Sequence, residues 1–532
     1  MKKLLSLLTL VLLLGATACD RYLDVLPDNR AEINTEEKVA RLLVSAYPDR
    51  GHTYITEIMS DNIDDFLGDA STAADRFQTE VGQWKDVRET NNESPLRIWS
   101  SHYLAIANAN QAIEAMQEMG MTETLRPYYG EALIARAYSH FILVNMFCWH
   151  YNQTTSATDL GIPYMEHAER ELNPQYERGT VARVYELIEK DIEEGLPLIT
   201  DNYDVPKYHF NVNAAYAFAS RFYLFYEKYD KVIQCANKVL GANPATMMKD
   251  WASIGPPMPF NVQVFASEYI NASNKSNLLL APAFSVVGSM FQNYGSNKRF
   301  AHTQMKNSTE TLLAPAPWGT PSAMGDEIYY VYPRRYGAAG GATNYALIPK
   351  MPYLFEYTDP VARTGYAHTV FPLLQAEEVL LNRAEAYVFQ GRYDEAVADM
   401  VVWQKSRFKP ASTTTLTRTV IDNFYNGINY YQPKTPTTKH RLSPLMSTPI
   451  QAGEMENLIH CILHIRRIHT IHEGLRWFDT KRYGIVTHRR LFDSSGSILG
   501  CVVYDSLTVN DPRRAIQIPY DVIDAGITAN PR

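Results

Sequence analysis

The chain has 532 residues, of which 46% are hydrophobic and 20% are charged, and its formal net charge at pH 7 is −8. A chain with this excess of acidic residues does not have the positive surface expected of a protein that binds nucleic acid or anionic lipid. The length is sufficient for a large hydrophobic core, in one large domain or in about two to four smaller ones.

The N-terminal residues have the features of a secretory signal that ends in a lipid attachment site. Two lysines precede an apolar stretch, Leu4 to Leu14, which is shorter than the roughly 20 apolar residues that span a bilayer. Small residues at 16–18 then lead to Cys19, an ending that resembles a bacterial lipobox. We expect residues 1–18 to be removed and Cys19 to be acylated, since two or more acyl chains hold a protein firmly to a membrane. The alternative is an ordinary signal with a chance cysteine.

Amphipathic helices are predicted over most of the first half. Ser94 and Pro95 are suited to the N-cap and first turn of a helix whose apolar residues recur every three or four positions until Gly120. A more apolar helical pattern follows over residues 130–147, and Thr180 is suited to cap the next helix. These patterns predict a helical scaffold.

Two later segments share a pattern typical of tetratricopeptide helix pairs. The matching positions are Tyr223, Tyr229, Asp230 and Val232 in the first segment and Tyr387, Tyr393, Asp394 and Ala396 in the second. Small and aromatic residues at such positions let two helices pack closely. Because the segments are far apart in the chain, we expect helical hairpins separated by long insertions rather than a tandem array.

Residues 251–370 and 407–450 have a different composition. They are rich in Pro, Gly, Asn, Ser and aromatic residues, and they show little helical periodicity. We expect irregular loops and short strands laid over the helical scaffold. Loops on a rigid scaffold are where binding residues concentrate.

Four cysteines remain besides Cys19: Cys148, Cys235, Cys461 and Cys501. Their spacing forms neither a C-x-x-C pair nor a zinc-binding run. We expect buried free thiols, with one disulfide as the alternative.

Five stretches, in order, resemble the SusD/RagB family of bacterial outer-membrane lipoproteins. They are the start with Cys19, Tyr22, Leu23, Asp24 and Pro27; residues 107–113; residues 135–147 with 161–164; residues 373–391; and HEGLRWFDTKRYG at residues 472–484. In the last stretch, Thr480 replaces the usual apolar residue and Tyr483 stands where the family often has Trp. The resemblance covers nearly the whole chain, from residue 19 to about 484.

The resemblance implies a mainly α single domain over residues 19–532, with a tetratricopeptide-like helix-pair scaffold and long irregular loop excursions that carry the ligand site. A lipid-anchored tail, about 19–35, would dock on the body, and a loop-rich excursion, about 245–370, would bind the ligand. The protein would face the cell surface from the outer membrane, as a lid over a SusC-like TonB-dependent β-barrel transporter. The implied function is capture of glycans, or of peptides as in the RagB branch, without enzymatic activity and without a cofactor.

The resemblance also places ligand contacts in the loop after the first helix and in the middle excursion. On that basis we expect Asp61, Trp84, Tyr294, Arg299 and Trp318 to contact the ligand. Flat aromatic rings suit the C–H faces of sugars, and charged or amide side chains suit the hydroxyl groups. Trp318 follows a proline and precedes a glycine, so we expect it in a rigid, exposed loop. The alternative for each of the five is a structural or merely exposed role.

The other tryptophans of helical context, Trp99, Trp149, Trp403 and Trp477, are expected to be structural. Two polar clusters have the residue types of metal sites. Asp61, Asp64 and Asp65 could bind calcium, but they lack the EF-hand spacing, and a solvated or capping face is expected instead. His469 and His472 do not have the H-E-x-x-H spacing of a zinc site and are expected to be structural.

Two further functions are open at this level. With 58 acidic residues, a pair of carboxylates at the separation that a glycosidase needs could occur, but no G-x-S-x-G, zinc or phosphate-loop motif is present. The helical hairpins could instead serve only to hold other proteins. The aromatic-rich loops favour ligand capture over this scaffold function.

Overall fold

A computed structural model describes residues 33–66, 76–171, 174–255, 261–292, 299–322, 326–332, 334–337, 343–410, 413–492, 498 and 500–532. The expected signal peptide, Cys19 and Tyr294 lie outside these residues. Within them the fold is mainly helical, as predicted, with small sheets added to the helices. Of the helices in these ranges, none is both long and apolar enough to cross a membrane.

The helices of the first half form the scaffold. They are α1 (Glu36–Leu43), α2 (Thr53–Met59), α3 (Arg76–Gly82), α4 (Pro95–Glu118), α5 (Arg126–Phe147), α6 (Val181–Gly195), α7 (Val212–Phe225) and α8 (Tyr229–Leu240). The predicted caps are present: Ser94 Oγ accepts a hydrogen bond from Arg97 N at 3.3 Å, and Thr180 Oγ1 accepts one from Arg183 N at 3.2 Å. These oxygens satisfy N–H groups that a helix start leaves free, so α4 and α6 begin there.

The later helices alternate with strands. They are α9 (Trp251–Ile254), α10 (Val262–Tyr269), α11 (Val287–Gln292), α12 (Gln304–Thr309), α13 (Ala376–Phe389), α14 (Tyr393–Arg407), α15 (Arg418–Gly427), α16 (Glu454–His469), α17 (Arg476–Arg482) and α18 (Tyr520–Asp524). The excursion at 251–370 therefore contains short helices in addition to the expected loops and strands.

The two segments with the tetratricopeptide pattern form helix pairs, α7–α8 and α13–α14, and the pairs pack against each other. The rings of Tyr229 and Phe389 stack with their centroids 4.6 Å apart. Arg383 Nη1 donates a hydrogen bond to Asn237 Oδ1 at 2.7 Å. The two helix pairs, which are far apart in the chain, are thus neighbours in space. The long insertion between them does not separate the helices of the scaffold.

The core contains the residues expected there. Cys148, Cys235, Cys461 and Cys501 are all buried and free. Among the tryptophans expected to be structural, Trp99, Trp403 and Trp477 are buried and Trp149 is half-buried. No disulfide links the cysteines of the described residues, so the disulfide alternative is wrong for these four.

The strands are β1 (Asp64–Phe66), β2 (Asn277–Ala283), β3 (Phe300–Ala301), β4 (Arg334–Gly337), β5 (Thr343–Leu347), β6 (Leu354–Asp359), β7 (Thr364–Gln375), β8 (Thr487–Phe492) and β9 (Val502–Leu507). They form sheets with the orders β3-β1-β8-β9, β2-β7-β6 and β4-β5. The first sheet pairs β1, near the start of the chain, with β8, near its end. In the second sheet, β7 pairs with β2 along its C-terminal part and with β6 along its N-terminal part, which leaves β6 exposed at the edge.

Candidate functional site

The acidic segment at residues 61–65 is buried, so the expectation of a solvated face is wrong. Its carboxylates each accept two hydrogen bonds from a different arginine: Asp61 from Arg476 at 2.8 Å, Asp64 from Arg490 at 2.9 Å, and Asp65 from Arg299 at 2.7 and 2.8 Å. An arginine that donates two hydrogen bonds to a carboxylate offsets the free-energy cost of burying that carboxylate away from water. The local pattern could not reveal this, because the partners lie far along the chain.

These carboxylates bind arginines in place of a metal ion. Burial by itself would raise the pKa of Asp64, but Arg490 and Lys306 lower it to about 2. Burial also opposes the charged form of Asp61, yet its arginine neighbours hold its pKa well below the ordinary value. Among the described residues, no group of three or more His, Cys, Asp or Glu is placed to hold a metal ion. The calcium alternative therefore finds no support in this segment.

Trp84 is only 2% exposed, and protein covers its ring. Its Nε1 donates a hydrogen bond to Met59 O at 2.8 Å, and the guanidinium of Arg489 lies 4.4 Å from the ring centroid. The same guanidinium lies 5.9 Å from the ring centroid of Phe300, the residue after Arg299. Trp84 and Arg299 therefore belong to one structural layer beside β1.

Trp318 is 1% exposed, so the expectation of an exposed loop is wrong. Ala316 and Gly319 exchange backbone hydrogen bonds at 2.9 and 3.1 Å, and this tight turn directs the indole inward. The ring stacks on His464 with centroids 5.1 Å apart and also contacts Trp403. The flanking proline and glycine indicated a rigid turn, but not its direction. Burial of a large aromatic ring is favourable, which explains why the turn faces the core.

The four predicted site residues that the structure describes are thus buried or bonded to other residues of the protein. Arg299 is half-buried, and both its Nε and Nη2 are bonded to Asp65. The fifth, Tyr294, lies outside the described residues. Contact of these residues with a ligand remains a prediction, and this arrangement does not favour it.

Exposed aromatic residues concentrate instead on the β6–β7 hairpin. Tyr353 and Phe355 are each 37% exposed, Tyr357 is 55% exposed and Tyr366 is 53% exposed. We call these four residues the hairpin surface. A single exposed aromatic residue is ordinary, whereas a cluster of them on one ribbon marks an interaction site. The hairpin lies within the excursion at about 245–370, where the ligand site is expected, although none of its residues was singled out.

The local sequence explains why these rings are uncovered. Side chains alternate between the faces of a strand, so Phe355 and Tyr357 share one face, and their ring centroids are 4.9 Å apart. The residues opposite them on β7 are Ala367 and Gly365, which are too small to cover that face. A Cβ atom on Gly365 would lie 2.9 Å from Phe355 Cε1 and 1.9 Å from the carbonyl oxygen of Glu356. Only glycine fits at this position.

The base of the hairpin is fixed to the body. The ring of Tyr366 meets the ring of Phe284 edge-on, with centroids 5.6 Å apart, and the guanidinium of Arg50 lies 4.4 Å from the centroid of Phe284. Ser285 N donates a hydrogen bond to Ala367 O at 3.2 Å. A fixed base lowers the cost of ordering these rings when a ligand binds.

Polar groups lie on the face of the ribbon that carries Tyr366, opposite the face of Phe355 and Tyr357. Glu356 is directly across from Tyr366 on the ribbon, and His368 follows on the same face. Arg363 lies in the turn that joins the two strands. Tyr366 with its polar neighbours suits a sugar, because an aromatic ring contacts the C–H face of a sugar while carboxylate, imidazole and phenol groups bond its hydroxyls, and Phe355 and Tyr357 offer a second aromatic face.

A second surface feature is a groove with a volume of about 250 Å³, which we call the α4 groove. Its lining consists of Trp99, Tyr103, Ile106, Ala107 and Asn110 on α4, Pro163, Met165, His167 and Glu169 on the opposite wall, and Tyr176, Val522 and Ile527. The helical periodicity predicts an apolar face on α4, which we call the α4 stripe, but the opposite wall comes from a loop and from the C-terminal residues. The groove itself was therefore not predicted.

Known proteins resemble this chain in sequence and in fold. The model of a SusD-like family described as "Starch-binding associating with outer membrane" matches residues 21–224. No curated protein matches the sequence at a significant level.

Several solved structures share the fold. A SusD superfamily protein from Bacteroides vulgatus is 17% identical, with a TM-score of 0.61, and the alignment covers 93% of this chain and 97% of that one. A SusD superfamily protein from Bacteroides thetaiotaomicron is 16% identical, with a TM-score of 0.59 and coverage of 93% and 99%. A SusD-like carbohydrate binding protein from Bacteroides vulgatus is 14% identical, with a TM-score of 0.53 and coverage of 85% and 84%. At these identities the structures establish a common fold.

Three observations agree on what the chain is similar to. The motifs occur in the SusD/RagB order along the sequence, a SusD-like family model matches residues 21–224, and the described fold aligns with SusD superfamily structures over nearly the whole chain. The N-terminal part thus matches a SusD-like family model, and the chain has the fold of the SusD superfamily structures.

Proposed function

We propose that the protein binds glycans at the cell surface and delivers them to a SusC-like TonB-dependent transporter in the outer membrane. The description of the matching family names starch binding and association with the outer membrane, and one structural neighbour is described as carbohydrate binding. These statements concern relatives. The observation on this chain that carries the proposal is the hairpin surface.

The hairpin surface supplies the two kinds of contact that a sugar needs. Phe355 and Tyr357 offer rings on one face, and Tyr366 stands beside Glu356 on the other. The surface is open and not a closed pocket, which suits the side of a long polysaccharide and a moderate affinity. Moderate affinity matters for uptake, because a very tight complex would release its cargo too slowly.

The remaining parts of the proposal concern location and partner. Acylated Cys19 would hold the protein at the outer membrane, and the helical scaffold would meet the transporter while the hairpin meets the ligand. In this proposal the protein is a binder, with neither catalysis nor a cofactor. The competing function is peptide capture of the RagB type.

A binding screen tests the proposal. Residues 20–532 would be run through native gels that contain plant, microbial or host polysaccharides, with calorimetric titration against mixed peptides in parallel. We expect one glycan class to retard the wild type and to retard the Phe355→Ala/Tyr357→Ala variant less. Retardation by none of the polysaccharides, with heat from peptides, would move the protein to the RagB-type function. Sustained release of reducing sugar would instead revive the hydrolase alternative.

A further inference from the structure

The walls of the α4 groove are fixed to each other in the absence of a ligand. Tyr103 Oη donates a hydrogen bond to Pro163 O at 2.8 Å, and Asn110 Nδ2 donates to Met165 O at 2.9 Å and to His167 O at 3.0 Å. The α4 stripe runs over three helical turns, about 16 Å by the helical rise. The groove is therefore preformed and elongated.

A buried histidine holds the loop wall from behind. The ring of His140 stacks on Tyr164 with centroids 3.7 Å apart, and its Nε2 accepts a hydrogen bond from Met165 N at 3.1 Å. Its Nδ1 lies 2.9 Å from Arg136 O and donates to it. This pattern needs a neutral ring, in agreement with burial, which lowers the pKa of His140 well below its ordinary value.

The hydrogen-bonding groups that α4 presents to the groove, those of Tyr103 and Asn110, are already used. Asn110 Oδ1 accepts from Arg136 Nη1 at 2.8 Å, so the whole amide is satisfied, and the proton of Tyr103 Oη is taken by Pro163 O. The atoms that the walls expose to the groove are mainly carbon atoms of Trp99, Met165 and the other apolar residues. Sugar hydroxyls placed against α4 would lose their hydrogen bonds with water and find the amide of Asn110 already used. The groove suits apolar side chains.

An acidic segment forms part of one wall of the groove and flanks it in the sequence. Glu169 lines the groove, and Glu166, Glu171 and Glu177 are its neighbours in the sequence, with one exposed arginine, Arg170. We call these four glutamates the rim. Arg170 is paired with Glu114 at 2.8 Å, and Glu166 is paired with Lys190 at 3.2 Å. The other three glutamates have no basic partner among the described residues. This excess of negative charge around an apolar groove favours a ligand that carries lysine or arginine beside apolar side chains.

We infer that the α4 groove is a docking site for a basic, apolar polypeptide segment of a partner protein. The apolar side chains of the segment lie along the α4 stripe, and its cations meet Glu169, Glu171 and Glu177. The groove is separate from the hairpin surface, so this docking does not depend on glycan binding.

Fluorescence anisotropy of a labelled peptide tests the inference. The probe is acetyl-Lys-Leu-Phe-Lys-Leu-Phe-Lys-amide, and the control peptide has glutamate in place of each lysine. We expect the basic peptide to bind residues 20–532, and the acidic one to bind at least about tenfold more weakly at low salt. High salt is expected to reduce this difference because it screens the rim charges.

Two variants locate the binding. Ala107 is exposed on α4, so Ala107→Trp fills the groove without disturbing the core, and it is expected to weaken peptide binding about tenfold or more. Ala252→Trp, at an exposed alanine of α9, is the matched control. The triple change Glu169→Gln/Glu171→Gln/Glu177→Gln is expected to remove most of the salt dependence, whereas Glu123→Gln, on a side chain 83% exposed elsewhere, is expected to leave it unchanged. Unaltered thermal unfolding midpoints would show that the variants are folded.

Several outcomes would overturn the inference. Equal binding of the acidic peptide, or normal peptide binding by Ala107→Trp, would show that the groove is not a basic-peptide site. A concentration-dependent dimer that Ala107→Trp abolishes, without peptide binding, would identify a second copy of the chain as the occupant. Weaker glycan retardation by Ala107→Trp would make the groove a sugar site.

Discussion

Arg476 donates two hydrogen bonds to the carboxylate of Asp61, from Nε and Nη2, each at 2.8 Å, and both side chains are buried. Asp61 lies near the start of the chain, and Arg476 lies in the HEGLRWFD stretch near its end. Arg467, one helix earlier, adds a hydrogen bond from Nη2 to Asp61 O at 2.7 Å. The HEGLRWFD stretch therefore serves as a clamp that joins the N-terminal segment to the C-terminal helices.

Loss of this clamp should be costly. Arg476→Met leaves the carboxylate of Asp61 buried with incomplete compensation, so we expect the free energy of unfolding to fall by about 3–5 kcal/mol. The double change Asp61→Leu/Arg476→Met should cost less, because it removes both charges together. Denaturant unfolding measures all three proteins. Arg126→Met is the control, since Arg126 pairs with Glu123 at the surface, and there the expected loss is about 1 kcal/mol or less. A loss for Arg476→Met no larger than that of the control would contradict the clamp.

Stability should depend on pH through Glu93, which lies under the base of the hairpin. Its Oε1 accepts a hydrogen bond from Val286 N at 2.6 Å, and the side chain is only 3% exposed. Burial raises the pKa of Glu93 to about 7, more than Val286, Ser285 and Arg50 lower it. The folded state thus binds the proton of Glu93 more tightly than the unfolded state does. The contribution of this proton to the free energy of unfolding is complete below the unfolded pKa of about 4.3 and is lost as the pH rises through the folded pKa of about 7.

Glu93→Gln removes this titration. We expect the variant to be more stable than the wild type by up to about 3 kcal/mol at pH 8 and nearly equal to it at pH 4.5. Unfolding by urea at the two pH values gives the comparison, with Glu123→Gln as a control that follows the wild type. Equal stability of Glu93→Gln and the wild type at pH 8 would count against a raised pKa of Glu93 in the folded state.

The scaffold could be predicted from the sequence because its signals are local. Helical periodicity, the caps at Ser94 and Thr180, and the Tyr-Asp pattern at Tyr229 and Tyr393 each act within a few residues. What periodicity could not show is that α7–α8 and α13–α14 are neighbours, because stacking of Tyr229 on Phe389 joins distant segments.

The candidate site was harder to predict, for two physical reasons. The burial of Asp61 and Trp318 depends on partners far along the chain, and nothing in their flanking residues shows those partners. For the hairpin a signal was available: Tyr353, Phe355 and Tyr357 alternate along a strand, and Gly365 follows the turn. This alternation is short, and the Pro-, Gly- and Asn-rich residues around it give the excursion as a whole an irregular pattern.

Trp318 provides a test between the sequence-based site and the structure. Because the ring is packed against His464 and Trp403, Trp318→Ala should lower the free energy of unfolding by about 3–5 kcal/mol. Trp318→Phe should cost less, since it keeps most of the apolar volume. At a temperature where Trp318→Phe is fully folded, its retardation by glycan should equal that of the wild type. Weak glycan binding by a fully stable Trp318→Phe would restore Trp318 to the ligand site.

Cys19 governs membrane attachment in the proposed function. Cys19→Ala removes the thiol that the lipid would modify, so the protein should leave the membrane fraction and appear in the soluble fraction after ultracentrifugation. Cys148→Ala, at a buried thiol, should leave the distribution unchanged. Sedimentation of Cys19→Ala with membranes at the wild-type level would rule out the lipid anchor.

The most direct test of glycan capture by the hairpin is a calorimetric titration of the best-retarding polysaccharide. The wild type is compared with Phe355→Ala/Tyr357→Ala and with Leu445→Ala, which removes an exposed apolar side chain elsewhere, 40% exposed. We predict that the hairpin variant binds at least about tenfold more weakly, a loss of about 1.4 kcal/mol, with an unchanged unfolding midpoint. We predict that Leu445→Ala binds like the wild type. Wild-type affinity in the folded hairpin variant would contradict the account.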